Sequence, residues 1–146
     1  MASSGLVVDA SVIVKWYLRD EALLADADRV QDDWELGRWR LTAPGHFPYE
    51  VTGSLLRAAR MGRLSRANAE AALADFAAIL GGVTFVPPAE VVSGAADLAR
   101  RLNVNFFDAC YLQVARDFRV QLVTADQAFY RQAGSQPDVL WLGDYR

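Results

Sequence analysis

Residues 5–9 read Gly-Leu-Val-Val-Asp, a short apolar run that ends in an aspartate. Residues 120–124 read Val-Gln-Leu-Val-Thr, a second apolar run, and Asp126 follows two positions beyond it. Short apolar runs bounded by polar residues are typical of buried β-strands. Because such strands alternate with helical segments along the chain, they predict a parallel sheet that is covered by helices on both faces.

The rest of the chain continues this alternation, and no repeat, low-complexity tract or linker interrupts it. Further strands are predicted at residues 41–43, 83–86 and 139–142. Helices are predicted at residues 21–36, 49–60, 66–80, 88–102 and 106–118, with a helical turn at 11–18 and a short helix ending near 132. Asp20 is predicted to cap the first long helix, and a capping box of Thr124 with Gln127 is predicted to start the last one.

The composition excludes several classes of protein. The chain has 146 residues, of which 53% are hydrophobic, and its net charge is -3, so it is not globally disordered. Its one cysteine, Cys110, excludes a disulfide framework. No apolar run approaches the roughly 18 residues of a membrane span, and no basic start precedes the first apolar stretch, so neither a membrane segment nor a signal peptide is expected. We therefore expect a cytoplasmic protein, whose acidic pI of about 5.1 argues weakly against non-specific nucleic-acid binding.

Four acidic residues lie where ligands usually bind in a parallel α/β fold. Asp9 and Asp126 follow two different strands, at the carboxyl edge of the sheet. Glu50 and Asp108 lie near predicted helix starts, among apolar or small neighbours. Each acid alone has an ordinary explanation, as a cap, a turn residue or a favourable charge at a helix dipole. Together they are predicted to converge on one edge, where their mutual repulsion raises their pKa values.

A divalent cation removes the cost of gathering these charges. Oxygen ligands alone select a hard cation, Mg²⁺ or else Mn²⁺. Cys110 and His46 are not spaced as a zinc site. Because His46 is the one histidine, catalysis by a pair of histidines within one chain is excluded as well.

Four segments contain the four acids in order: VVDASVIVKWYL at 7–18, PYEVTGSLLRAARMGRLS at 48–65, FFDACYLQVA at 106–115 and LVTADQAF at 122–129. Together they resemble the PIN-domain nucleases and are most similar to the VapC toxins of bacterial toxin–antitoxin pairs. The resemblance covers nearly the whole chain. It implies a single PIN domain over residues 1–146, built as a three-layer α/β/α sandwich whose parallel sheet has the strand order 3-2-1-4-5.

The resemblance also implies an activity, that of a metal-dependent endoribonuclease that leaves 5′-phosphate and 3′-hydroxyl ends. The family's four acids fall on Asp9, Glu50, Asp108 and Asp126. Asp9 and Asp108 are expected to hold Mg²⁺ most directly. Glu50 and Asp126 are expected to complete the site, partly through water.

Neighbouring residues match the family's pattern in part. Ser11 and Thr124 match hydroxyl positions that often flank the metal site in the family. Two positions depart from it: Asn105 replaces a threonine or serine three residues before Asp108, and Phe107 replaces a tyrosine. Because Asn105 still forms hydrogen bonds, we expect altered geometry or substrate preference rather than lost catalysis.

Basic residues near the acids have two interpretations. Arg57 shares a helix face with Glu50 and Ser54, where it is placed to reach a phosphate beside the metal or to pair with Glu50. Lys15 and Arg19 are similarly placed to form a basic edge near the first acid. The alternative for all three is solvated surface charge or a docking point for acidic groups of a partner.

The resemblance implies three partners: an RNA substrate, a VapB-type antitoxin and a second copy of the chain in a homodimer. It suggests that the region of Trp34 and Trp39, read as helical, contributes to the antitoxin groove. Two other functions stay open: a PIN nuclease that processes RNA or acts on DNA without being a toxin, and an inactive binding module. A phosphatase of the aspartyl-phosphate type is disfavoured, because Ser11 stands where its second aspartate is needed.

Overall fold

The computed structural model describes residues 4–146, which contain one five-stranded parallel sheet. Its strands are β1 (Ser4–Val8), β2 (Trp39–Pro44), β3 (Thr84–Val86), β4 (Leu122–Thr124) and β5 (Val139–Trp141). Their order in the sheet is β3-β2-β1-β4-β5, and every neighbouring pair is parallel. The predicted fold class and the strand order 3-2-1-4-5 are therefore confirmed.

Seven α-helices and three 3₁₀ turns connect the strands within residues 4–146. The helices are α1 (Ala10–Ile13), α2 (Leu24–Glu35), α3 (Phe47–Arg60), α4 (Arg66–Ile79), α5 (Pro88–Leu102), α6 (Phe106–Phe118) and α7 (Gln127–Ala133). The 3₁₀ turns are Val14–Trp16, Leu80–Gly82 and Leu142–Asp144. In this part of the chain, no helix is long and apolar enough to cross a membrane.

The core of the molecule lies on both faces of the central strands. Val7 and Val8 of β1 are fully buried, as are Leu122 and Val123 of β4. These two strands pair with each other at the middle of the sheet, which explains why their sequences are apolar at consecutive positions instead of alternating. Helix α6 packs against β1, β2 and β4, and its opposite side packs against α5.

Helix α2 begins later than the sequence predicts. Its N-cap is Leu23, in a left-handed conformation with φ 60°, so the prediction that Asp20 caps this helix is wrong. The guanidinium of Arg63 instead donates two hydrogen bonds, of 2.9 and 2.8 Å, to the carboxylate of Asp20. A two-pronged bond to a charged group is stronger than a single bond from a backbone amide, so the arginine determines where this carboxylate lies.

Two further details of the sequence interpretation are wrong. Trp39 begins strand β2 and is 5% exposed, so it is a core residue rather than part of a helical region. Helix α7 is capped by Asp126, whose Oδ1 accepts a 3.0 Å hydrogen bond from the amide of Phe129, and not by a capping box of Thr124 with Gln127. The capping role considered for Asp126 from the sequence is thus confirmed.

Candidate active site

All four acidic residues singled out from the sequence line one cavity of about 190 Å³. Asp9 directly follows β1, and Asp126 lies two positions beyond the neighbouring strand β4. Glu50 and Asp108 lie in the first turns of α3 and α6. The cavity is completed by Ala10, Ser11, Val14, Ser54 and Tyr111.

Ser11 joins the ends of the two central strands. Its hydroxyl donates a hydrogen bond to Oδ1 of Asp9 and accepts one of 2.9 Å from the amide of Ala125, while its own amide donates to the same Oδ1 at 3.0 Å. Thr124 is fully buried beside it, and its Oγ1 accepts a 3.1 Å hydrogen bond from the amide of Asp126. Both hydroxyl residues expected near the site therefore contact its acids or the backbone that carries them.

Two of the carboxyl groups are hard to ionise without a cation. Burial raises the pKa of Asp9 to about 7, opposed by hydrogen bonds to Ser11 and Thr124 and assisted by the charge of Asp108. Burial also raises the pKa of Asp108 to about 6, and the charges of its acidic neighbours in the cavity add to this effect. A positive ion in the cavity would offset both costs and keep these groups ionised.

Glu50 differs because two neutral or basic side chains hold it. The hydroxyl of Tyr111 donates a 2.8 Å hydrogen bond to Oε1 of Glu50, and Nε2 of His46 lies 3.0 Å from the same oxygen. Burial raises the pKa of Glu50, but these two contacts outweigh it, so the pKa lies below its ordinary value. Among the acids of the cavity with a shifted pKa, Glu50 is thus the one that stays ionised most easily.

His46 and Tyr111 are site residues that the sequence interpretation missed. His46 precedes Glu50 by four positions and Tyr111 follows Asp108 by three, so helical spacing alone places each near an acid. That spacing was a usable signal. It did not show the side-chain contact between α3 and α6, which brings the hydroxyl of Tyr111 to Glu50.

The basic residues do not lie where the sequence suggested. Arg57 is exposed, is not among the residues that line the cavity, and does not pair with Glu50, so the pairing alternative is wrong. Lys15 is buried and lies 3.2 Å from Glu21. The guanidinium of Arg19 donates bonds of 2.7 and 2.8 Å to the carboxylate of Asp28. Because Lys15 and Arg19 are neutralised by acids, they form no basic edge beside the cavity.

Asn105 and Phe107, the two departures from the family pattern, lie next to the site rather than in it. Asn105 caps α6, since its Oδ1 accepts a 2.8 Å hydrogen bond from the amide of Phe107. Its side chain therefore helps to start the helix that carries Asp108. Phe107 is 51% exposed and lines a neighbouring groove.

The residues present fit a hard cation better than zinc. All four acids in the cavity offer oxygen ligands, whereas Cys110 is buried and its pKa is raised to about 11 by burial. Within residues 4–146, no three His, Cys, Asp or Glu side chains converge as a ready coordination shell. Few direct carboxylate ligands supplemented by water are typical of Mg²⁺ sites, and the spread of the four acids round the cavity suits that arrangement.

The sequence profile of the PIN domain matches residues 6–135. The chain therefore belongs to the PIN domain family, whose nucleases are generally metal-dependent. Ribonuclease VapC3 of Pyrobaculum aerophilum is 31% identical over 122 residues, which cover 84% of this chain and 89% of that protein. Ribonuclease VapC3 of Mycobacterium tuberculosis is 32% identical over 127 residues, 86% of this chain and 85% of the relative.

A solved structure shares the fold as well. A chain from a toxin–antitoxin complex of Klebsiella pneumoniae is similar, with a TM-score of 0.62, and the similarity covers 94% of this chain and 96% of that chain. Its sequence identity is 12%, so this comparison concerns the fold alone.

Proposed function

We propose that this protein is a Mg²⁺-dependent endoribonuclease and the toxin of a VapBC-type toxin–antitoxin pair. The observation that carries the proposal is the gathering of four carboxyl groups in one cavity, two of them with raised pKa values. The relatives named as VapC3 ribonucleases support RNA as the substrate. Mn²⁺ is the alternative metal, because it prefers the same oxygen ligands.

In this proposal the four acids bind the metal in two ways. Asp9 and Asp108 bind it most directly, and Glu50 and Asp126 complete the site, partly through water. When bound, the cation makes a water molecule more acidic and offsets the negative charge of the scissile phosphate. Hydrolysis then leaves a 5′-phosphate and a 3′-hydroxyl.

Other residues position the acids. The hydroxyl of Ser11 and the buried Thr124 hold Asp9 and the backbone of Asp126, respectively. Tyr111 donates a hydrogen bond to Glu50, and Nε2 of His46 lies beside the same carboxylate oxygen. Because these contacts exist before any substrate arrives, the ligands need little rearrangement to bind the metal.

Arg57 is proposed to contact a phosphate of the RNA away from the metal. It is exposed on α3 and forms no ion pair within the described part of the chain. It lies seven positions beyond Glu50 on the same helix face, about 10 Å along the axis. Replacing it should weaken RNA binding and lower its salt dependence, while the rate at saturating RNA stays the same.

The proposal is tested with Asp108→Asn, which removes the charge but keeps the size of the side chain. We expect cleavage of RNA in Mg²⁺ to fall at least about 100-fold, as does loss of a group that stabilises developing charge. Asp117→Asn is the matched control, because Asp117 lies on the same helix, is exposed and bonds to Gln113. An Asp108→Asn protein that still cuts RNA, with or without EDTA, would overturn the mechanism.

The proposal also includes two protein partners, a VapB-type antitoxin and a second copy of the chain. Beside the catalytic cavity lies an apolar groove of about 390 Å³, in which Tyr49 is 78% exposed and Phe107 51% exposed. Exposed apolar surface of this kind is typical of contacts with another protein chain, which supports both an antitoxin and a homodimer. Sedimentation equilibrium of the purified chain tests the dimer.

The toxin role is tested in cells, in the cytoplasm where we propose that the protein acts. Induced expression of the wild type should arrest growth, and co-expression of the small protein encoded beside its gene should relieve the arrest. Asp108→Asn should not arrest growth. A chain that cuts RNA in vitro without affecting growth would be a PIN nuclease of another kind, and the toxin assignment would then be wrong.

A further inference from the structure

A second cavity, of about 410 Å³, opens at the same edge of the sheet as the candidate active site. We name it the aromatic groove, and it is lined by Gln127, Tyr130, Arg131 and Trp141. Trp141 ends β5 and is the register partner of Thr124, which ends β4. The groove therefore lies one strand further along the edge that carries the acids.

Helix α7 connects the aromatic groove directly to the catalytic cavity. Asp126 lines that cavity and caps α7, and the amide of Tyr130 donates a 2.9 Å hydrogen bond to the carbonyl of Asp126. Tyr130 thus lies one helical turn beyond this acid, about 6 Å along the helix axis. A strand of nucleic acid that passes over the acids can continue into the groove.

Two glycines leave room for the aromatic rings of the groove. The ring centroids of Tyr130 and Trp141 lie 5.3 Å apart, with the planes inclined at 48°. A Cβ at Gly134 would lie 2.8 Å from Cζ of Tyr130, and one at Gly143 would lie 2.9 Å from Nε1 of Trp141. Both rings stay partly exposed, so they present aromatic surface to the groove.

Arg131 supplies a positive charge beside these rings. It is exposed and forms no ion pair among residues 4–146, whereas Arg19, Arg63 and Arg116 are bound to acids. A guanidinium without an acidic partner is free to bind a phosphate through its planar fork of donors. Gln127, also exposed, adds an amide that both donates and accepts hydrogen bonds.

We propose that the aromatic groove binds a nucleotide of single-stranded RNA next to the scissile bond, with its base on Tyr130 or Trp141 and its phosphate on Arg131. Aromatic rings beside a free arginine are the groups that bind single strands, because every base has a face that stacks. This chemistry favours RNA over a protein segment, which needs no phosphate ligand. The inference rests on the proposed ribonuclease function and deepens it by assigning a substrate subsite.

The test measures binding of a fluorescent single-stranded oligoribonucleotide by anisotropy in EDTA, and its cleavage in Mg²⁺. Trp141→Leu should weaken binding at least about fivefold, and Trp141→Phe, which keeps a ring, should restore most of it. Arg131→Gln should weaken binding and lower the slope of log affinity against log salt by about 0.7, the value for one phosphate of a single strand. In cleavage, both losses should appear as a higher KM at unchanged kcat.

Matched controls separate this role from folding and from surface charge in general. Arg40→Gln removes another exposed arginine that has no ion pair within 4–146, on β2 at the opposite end of the sheet. Phe118→Leu removes a ring that is 48% exposed at the far end of α6. Neither control should change RNA binding, and all variants should keep the wild-type melting temperature to within a few degrees.

The outcomes distinguish this inference from the proposed function. If the wild type cuts RNA and the groove variants bind and cut as it does, the subsite is wrong and the ribonuclease function stands. If the wild type cuts nothing but binds RNA through Trp141 and Arg131, the subsite stands and the nuclease function fails. If the variants no longer bind the co-expressed antitoxin but still bind RNA, the groove is a protein-docking site and the inference is overturned. It is also overturned if the wild type binds no RNA.

Discussion

Tyr111 donates a 2.8 Å hydrogen bond to Glu50 from a position 61 residues further along the chain. The tyrosine is 1% exposed, and its ring packs edge-on against His46 at 4.7 Å and Phe47 at 6.5 Å. Burial and these ring contacts place its hydroxyl against Glu50. This contact joins the two helices that carry acids into the site.

Tyr111→Phe should reduce kcat for RNA cleavage about tenfold while leaving the fold intact. The substitution removes one hydrogen bond to a charged group, worth about 1.5 to 3 kcal/mol, and keeps the buried ring. Tyr17→Phe is the matched control, because its hydroxyl donates to Asp75, which lies outside the candidate cavity, at 2.6 Å. Steady-state cleavage rates compare the two, and equal activity of both variants would show that Glu50 needs no positioning.

Between about pH 4 and pH 7, the stability of the metal-free protein should fall as the pH rises. Burial raises the pKa of Asp9 from 3.8 to about 7, so between these values the folded protein holds a proton that the unfolded chain has released. Asp9→Asn removes the free-energy cost of ionising this buried carboxyl group. In EDTA it should be more stabilising at pH 8 than at pH 5 by about 1 to 3 kcal/mol, given 1.36 kcal/mol per unit of pKa.

Urea unfolding at the two pH values measures this difference. Adding Mg²⁺ at pH 8 should stabilise the wild type and have little effect on Asp9→Asn, because binding to the folded state alone raises its stability. A stabilisation by Asp9→Asn that is the same at both pH values would show that the carboxyl of Asp9 is already ionised in the metal-free fold.

Ser11→Ala should cost about 1 to 3 kcal/mol of stability and also lower the cleavage rate. The hydroxyl bridges Asp9 and the amide of Ala125, so its removal takes one hydrogen bond from Asp9 and leaves the amide of Ala125 without its partner at the end of two buried strands. Ser93→Ala, at an exposed position of α5, should change neither quantity. Thermal unfolding and cleavage kinetics test the pair, and a Ser11→Ala protein as stable and active as the control would contradict the bridging role.

Asn105→Ala should destabilise the protein by about 1 kcal/mol, because it removes the cap of α6. Asn105→Ser retains a capping oxygen and should stay within a few tenths of a kcal/mol of the wild type. Mapping the cut sites of all three proteins on one RNA tests what the position does. If Asn105→Ser changes the cut sites at wild-type stability, the residue contacts substrate and its effect is not only that of a cap.

Most of the fold could be predicted because the sequence patterns that indicate strands and helices are local. Buried strands such as β1 and β4 appear as apolar runs, and the start of α4 follows from Ser65, whose side chain accepts a hydrogen bond from a nearby amide. The start of α2 was missed for a different reason. Asp20 resembles a cap in sequence, but Arg63, 43 positions away, binds it instead.

For the candidate site, too, the sequence predicted some features and missed others. Its four acids stand out in the sequence because charges among apolar neighbours need an explanation, and their places after strands and at helix starts imply a common edge. Their individual properties do not stand out. Asp9, Asp108 and Glu50 belong to the same chemical class, yet the pKa values of the first two are raised and that of the third is lowered.

Sequence patterning was thus enough for the strands, the helical layers and the identity of the acids, since apolar periodicity and buried charge are properties of short segments. The strand order was implied by the resemblance to the PIN-domain nucleases. Only the packed structure decided which partner each carboxyl group meets, that Glu50 lies against Tyr111 and His46, and that Tyr130 and Trp141 form a groove with Arg131. The reason is physical: desolvation and charge interactions depend on distances between side chains from different elements, and those distances exist once the helices have packed on the sheet.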